Sequence, residues 1–196
     1  MWKYKTPGIP DSEFEKEDEV PITKEEVRTV QISKARLNPG NVVYDIGCGS
    51  GSISIEAALQ IENSGRVHAI DFDPKAIELT KTNLKKFGIE NVTAILGNAK
   101  EKIVELPQAD AIFVGGTGGD TKEIVELCKD KLKEGGRIVI GVILIETLFS
   151  VIKILEETNF SSVDITQITI AKSRKTSTGT MMLARNPVTV ISATKN

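Results

Sequence analysis

The stretch VVYDIGCGSGSISIEAA, residues 42–58, places three glycines in five positions, Gly47, Gly49 and Gly51, directly after a β-rich run and directly before a helix-forming one. The apolar run ending at Ile46 has the length of a buried strand, and the segment from Ser52 to Ile61 reads as a helix. The turn between them is therefore made largely of glycine. Glycine tolerates positive φ angles and lets a ligand lie against main-chain N–H groups with no Cβ in the way. The same glycines also suit a tight strand-to-helix turn that binds nothing, so this segment alone leaves both readings open.

Outward from this unit the alternation continues. On its N-terminal side, Thr23 with Glu26 three residues later predicts a capping box and a helix lasting to about Arg36, stopped by Asn38, Pro39 and Gly40. On its C-terminal side, RVHAIDF (residues 66–72) reads as a second strand, and Asp73 with Pro74 opens a helix that runs through Phe87 and closes at Gly88. NVTAIL (residues 91–96) and DAIFVG (residues 110–115) read as third and fourth strands. Residues 120–136 read as a helix with a glycine stop, residues 137–144 as a fifth strand, and residues 146–158 as a helix. Such alternation implies right-handed crossovers and a mostly parallel, doubly wound α/β sheet with helices on both faces. The tail departs from it: residues 162–171 and 180–193 are strand-like with only a polar stretch between them, which predicts a hairpin at the sheet edge with at least one antiparallel strand. Asn186 and Pro187 fall inside the second run and predict an edge or bulge there.

Composition narrows the function classes. A chain of 196 residues, 40% of them hydrophobic, suits one domain over residues 1–196, with an irregular arm over residues 1–20 that holds Pro7, Pro10 and an acidic run. A formal net charge of −2 gives no bulk attraction for nucleic acid. Cys48 and Cys128 stand alone, with no Cys or His cluster, which predicts free thiols in a reducing compartment and no metal site. No apolar run reaches the roughly 18 residues of a membrane helix. The expectation is a cytoplasmic protein with no membrane partner.

Two features turn the glycine loop toward an adenosine cofactor. Asp71 lies twenty positions after Gly51 at the end of the second strand, where a carboxylate can accept hydrogen bonds from both ribose hydroxyls. The dinucleotide fingerprint requires glycine at position 52, and Ser52 is there instead. A donor lacking a pyrophosphate but carrying an amino-acid head fits better, with Asp45 toward its ammonium and the loop amides of residues 47–51, including those of Cys48 and Ser50, toward its carboxylate. S-adenosylmethionine matches that description. Cys48 itself reads as a small buried filler. His68, the sole histidine, begins the second strand at the end away from the loop, so no histidine base is expected and no catalytic residue is assigned.

From residues 45–51, Asp71, GNA at 97–99, DAIFVGG at 110–116 and LKEGGRIVI at 132–140, the chain resembles the seven-stranded S-adenosylmethionine-dependent methyltransferases with a Rossmann-like sheet. That resemblance implies an adenine contact after the third strand, where this chain has Asn98 in place of the usual acidic residue, followed by Ala99. More narrowly, GIPDSEF (8–14), VPITKEEVR (20–28), VGGTGG (114–119), LKEGGRIVIGVILIET (132–147) and GTMMLARNPV (179–188) resemble the decarboxylating cobalt-precorrin-6B C(15)-methyltransferase family. The resemblance implies methylation of carbon 15 of cobalt-precorrin-6B and loss of the ring acetate carboxyl at carbon 12, giving cobalt-precorrin-7 in anaerobic cobalamin biosynthesis. It further implies a cofactor contact at Thr23 and a homotetramer.

The residues are compatible with such an acceptor. The loop after the fourth strand carries Gly115, Gly116, Thr117, Gly118 and Gly119, where adenine N-methyltransferases often carry a Pro-Pro-aromatic clamp, and it would let a bulky ring approach at Gly116 and Thr117. Lys172, Arg174, Lys175 and Arg185 surround the terminal hairpin and could pair with substrate carboxylates, or be a solvated loop. Two rivals use the same cofactor domain: a tRNA adenine methyltransferase and a noncatalytic binding module. The acidic balance and missing aromatic clamp count against the first.

Overall fold

The structure is a computed structural model that describes residues 2–158 and 160–196. Strand β1 (Val42–Ile46) leads through the glycine turn into α2 (Ser52–Ile61), as its sequence predicts. The helix before it is α1 (Glu25–Ala35). Then come β2 (Arg66–Asp71), α3 (Pro74–Phe87), β3 (Val92–Leu96), α4 (Ala99–Glu105), β4 (Ala109–Val114), α5 (Thr121–Lys131), β5 (Leu132–Val142) and α6 (Ile145–Glu157). Strands β6 (Phe160–Ile168), β7 (Ala171–Lys175), β8 (Thr180–Ala184) and β9 (Val188–Lys195) complete the chain. Seven strands form one sheet in the order β3-β2-β1-β4-β5-β9-β6, and β7 pairs with β8 in a separate two-stranded ribbon. The first five of these sheet strands are parallel, whereas β9 is antiparallel to both of its neighbours. The strand order reverses between β1 and β4, which places the glycine turn at the switch point where such sheets open a crevice.

The two faces of the sheet bury separate cores. Alternate residues of β1 divide between them: Val43 packs with Val27, Ile32 and Ala57 on the α1–α2 face, while Tyr44 and Ile46 pack with Ile124, Val125 and Leu155 on the α5–α6 face. This period-two division of a strand buried on both sides produces the continuous apolar run of the sequence. Helix α3 is fixed at both ends as its sequence predicts: Asp73 accepts the Lys75 N–H, Pro74 is first in the helix, and Gly88 closes it at φ 67°.

Five local readings are corrected. Thr23 does not cap α1; Lys24 is the N-cap, with no side-chain cap bond, and the Thr23 carbonyl instead accepts from Arg28. The short helix α4 intervenes between β3 and β4, where the sequence reading runs from strand to strand. Helix α5 ends at Lys131 rather than at the glycines, because Leu132 turns extended and pairs with Ala109 before a register shift in β4–β5. Each tail run divides into two strands, and β9 lies inside the sheet with β6 at its edge. Asn186 and Pro187 therefore stand between β8 and β9, at the break where one ribbon strand ends and a sheet strand begins.

The N-terminal arm is irregular apart from one 3-10 turn (Asp11–Glu13), yet it is firmly held. Ile9, Phe14 and Val20 are buried. The Gly8 and Ile9 N–H groups both donate to Glu56 at 3.0 Å. Arg28, fully buried, donates to Glu56 at 2.6 Å and to the Ile9 and Thr23 carbonyls, reaches Asp11 at 3.4 Å, and lies over the Phe14 ring. A buried guanidinium with this many acceptors is satisfied, so it costs little while intact and much when broken.

Candidate functional site

At the carboxyl edge of β1, β2 and β4 a cleft of about 230 Å³ is lined by Ile46, Gly47, Ile70, Asp71, Phe72, Gly97, Asn98, Ala99, Gly116, Thr117, Gly118, Asp120 and Ile124. Of the residues singled out in the sequence, it gathers Gly47, Asp71, Asn98, Ala99, Gly116 and Thr117. Thr23, Asp45, Cys48, Gly49, Ser50 and Gly51 are not among its lining residues.

The glycines behave as structural necessities of that wall. Gly47, Gly49 and Gly51 have φ of 72°, 54° and 75°. A Cβ at Gly47 would lie 2.5 Å from the Gly116 carbonyl oxygen, and one at Gly49 would lie 2.6 Å from that of Pro21. The first contact brings the β1 and β4 loops together backbone to backbone at the switch point. The second lets the arm cross the loop, where the Pro21 carbonyl accepts the Ser50 N–H at 3.2 Å. All five loop amides are already engaged: Gly47 and Cys48 donate to the Ile70 carbonyl, Gly49 to Asp71, Ser50 to Pro21 and Gly51 to Cys48. The loop thus offers a glycine surface rather than a row of free donors.

Asp71 is anchored at both oxygens, accepting Gly49 N–H at 2.9 Å and Asp73 N–H at 3.0 Å. An ionised carboxylate has about four lone-pair sites, so this fixed group retains capacity for two hydroxyls in the cleft. Asp45 is buried and accepts from the Ser54 hydroxyl at 2.5 Å. Burial pushes its carboxyl up to about 6, against the hydrogen bonds from Ser54. Asn98 caps α4, its oxygen accepting the Lys100 N–H at 2.9 Å. Cys48 is buried 3.6 Å from the Thr80 hydroxyl, and burial raises its thiol far above the ordinary value, so it is an inert packing group. His68 is at the third position of β2, edge-on to Tyr44, with its pKa lowered chiefly by burial.

The terminal cations are placed differently from one another. Lys172 pairs with Glu25 and with Glu26 of α1, which hold its ammonium above the ordinary lysine value. Arg185 reaches Asp11 at 3.8 Å, while Arg174 is exposed on β7. The cleft also contains residues that the sequence reading passed over. Phe72 is 69% exposed next to Asp71, a large apolar side chain left at the cleft mouth. Asp120 is held by Lys100 at 2.9 Å, and Lys100 also meets Glu123 at 2.8 Å, tying α4 to the start of α5 across the cleft. Phe72 is legible as the apolar neighbour of the acidic strand end; the Lys100 clasp has no local signal, because its partners Asp120 and Glu123 lie 20 and 23 residues away.

The donor set suits an adenosine cofactor. The cleft combines aliphatic walls from Ile46, Ile70 and Ile124 with one fixed carboxylate and a glycine backbone surface at Gly47. A family model described as a precorrin methyltransferase domain matches residues 13–195. A probable cobalt-precorrin-6B C(15)-methyltransferase (decarboxylating) of Saccharolobus solfataricus is 45% identical, covering 99% of this chain and 98% of its own. The crystal structure of a precorrin-8w decarboxylase from Methanobacterium thermoautotrophicum is 42% identical with a TM-score of 0.90, covering 94% of this chain and 98% of that one. A precorrin-6y C5,15-methyltransferase structure from Geobacter metallireducens is 37% identical with a TM-score of 0.90, covering 97% of each chain.

Proposed function

Because the chain belongs to the precorrin methyltransferase family, we propose that it is an S-adenosylmethionine-dependent C-methyltransferase acting on carbon 15 of cobalt-precorrin-6B, with decarboxylation of the carbon 12 acetate to give cobalt-precorrin-7. The observation that carries this reading is similarity over nearly the whole length to a relative of that name, together with a switch-point cleft whose carboxylate is pre-positioned. S-adenosylmethionine, when bound, supplies a methyl group activated by its own sulfonium.

The residues of this chain supply placement. Asp71 receives the ribose hydroxyls, with the side chains of Phe72, Ile70 and Ile124 beside the adenine together with Asn98 and Ala99. Gly47 and its loop neighbours through Gly51 face the methionyl end, with Asp45 toward its ammonium and Thr23 as a further contact. Transfer from an activated donor needs alignment more than an acid or base, so the role of the fold is to fix two reactants in line. Gly116 and Thr117 border the acceptor, and Lys172, Arg174 and Arg185, on and beside the β7–β8 ribbon, are cations that its acidic substituents could meet.

The proposal extends to a cytoplasmic homotetramer. The β7–β8 ribbon supports subunit association, since Met181, Met182 and Leu183 are exposed and a two-stranded ribbon is marginal alone. Among the described residues no helix is long and apolar enough to cross a membrane. The test is incubation with methyl-labelled S-adenosylmethionine and cobalt-precorrin-6B, read by product mass and trapped carbon dioxide. Label in the corrinoid with carbon dioxide release is the expected result; label in tRNA, or binding without turnover, contradicts it.

A further inference from the structure

Four large apolar side chains in seven residues, Ile143, Leu144, Ile145 and Phe149, are 68%, 64%, 67% and 68% exposed. They follow directly on β5 and begin α6. Ile145 and Phe149 are one helical turn apart and share a face, while the opposite side of α6 sends Val151, Ile154 and Leu155 into the core. The fold therefore does not need the four outward side chains for its interior. Leu144 even occupies the N-cap of α6, a position where a polar residue would normally satisfy the free N–H groups. Contiguous exposed apolar surface of this kind marks an interaction site.

Its place in the fold identifies the occupant. β4 and β5 are parallel neighbours with Val114 opposite Ile140, so the segment beyond Val142 lies beside the loop of residues 115–119. In that loop the Cβ positions of Gly116, Gly118 and Gly119 have nothing within 4 Å, so the loop itself puts no side chain in the way of a bulky group. The other flank of the same loop lines the cofactor cleft. An acceptor entering from this side meets no lysine or arginine between Arg137 and Lys153, and only Glu146 among charged residues. That segment offers a phosphate backbone no cation and suits the face of a large conjugated ring whose carboxylates project from its rim.

We propose that Ile143, Leu144, Ile145 and Phe149 form a shelf on which the face of the tetrapyrrole acceptor lies, setting its distance from the cofactor cleft. This rests on the function proposed above. The shelf residues are specificity determinants: they act on the acceptor and leave the cofactor alone.

The test uses the full chain with Phe149→Ser, the double variant Ile143→Ser/Ile145→Ser, and the conservative Phe149→Leu. Four quantities are read: KM and kcat with cobalt-precorrin-6B, affinity for S-adenosylhomocysteine by calorimetry, binding of cobyrinic acid by absorbance titration, and particle size by light scattering. The expected result is a rise of about tenfold or more in KM and in the cobyrinic acid Kd for Phe149→Ser, with Phe149→Leu restoring most of it. S-adenosylhomocysteine affinity and particle size stay at wild-type values. Unchanged KM and corrin binding with a smaller particle would make the shelf a contact between copies and overturn the proposal, as would no change in any quantity. A wild-type chain that neither turns over nor binds the corrin removes the function reading and the shelf with it. Wild-type turnover with indifferent variants removes the shelf alone.

Discussion

Gly47, Gly49 and Gly51 each face an atom between 2.5 and 2.9 Å from where a Cβ would stand, whereas Gly116, Gly118 and Gly119, one strand away along the same edge, face none within 4 Å. The first group is glycine because the protein itself presses on it: the β4 loop on Gly47, the arm on Gly49, and Thr80 of α3 on Gly51. The second leaves room that the protein does not fill. One sheet edge thus has a closed half, in which every loop amide is spent, and an open half bounded by glycines and exposed aliphatic groups. On the function proposed above, the closed half holds a cofactor in one pose and the open half admits a bulky acceptor.

The comparison can be broken most severely from outside the loop. Arg28→Ala leaves Glu56 buried without its cation, leaves Asp11 only Lys24 and Arg185, each at 3.8 Å, and removes the guanidinium that ties the Ile9 and Thr23 carbonyls to α2. The expected loss is about 3–5 kcal/mol of unfolding free energy, measured by denaturant titration. Next is Gly47→Ala, which sets a Cβ against the Gly116 carbonyl at a φ of 72°. The combined strain and overpacking cost about 2–4 kcal/mol, with S-adenosylhomocysteine binding lost in calorimetry. Asp71→Asn keeps the volume but replaces one acceptor oxygen by a donor, which breaks one of the two anchoring bonds from Gly49 and Asp73; it loses about 2 kcal/mol of cofactor affinity and about 1 kcal/mol of unfolding free energy.

A pH effect sharpens the closed half further. The Asp45 carboxyl rises from 3.8 to about 6 in the folded chain, so the folded state holds its proton over a range where the unfolded chain has released it. The stability this group contributes is full below about pH 4 and is lost as pH rises through 6. Asp45→Asn should flatten that segment of the stability profile, read by thermal melts between pH 4 and 7. The smallest change belongs to the open half: Gly116→Ala, with no neighbour and no positive φ, should alter stability by no more than about 0.5 kcal/mol.

Legibility in the sequence followed the same division. From β1 to the end of α3 the elements were readable because each boundary carries a local chemical mark: glycine after β1, Asp73 and Pro74 before α3, Gly88 after it. Where marks were shared between structures, the reading slipped. Asn98 invites a ligand reading and is also the cap of a seven-residue helix. Alternating residues from 162 onward look alike whether they pair in the main sheet or in the ribbon, and the breaks at residues 169–170 and 185–187 come from that pairing rather than from a local mark. Arg28 was invisible as a buried residue, since its partners Glu56, Asp11 and the Ile9 carbonyl come from segments up to 28 residues away. In the cleft, Asp71 was readable from its strand-end position, but that its two oxygens are tied by Gly49 and Asp73 is a tertiary fact.

Calorimetric titration of S-adenosylhomocysteine into the wild-type chain and into Asp71→Asn tests the central claim most directly. One site per chain in the wild type, weakened about 30-fold in the variant, is the predicted result. No heat of binding in the wild type, or equal affinity in both, would contradict a cofactor held by the closed half of the edge.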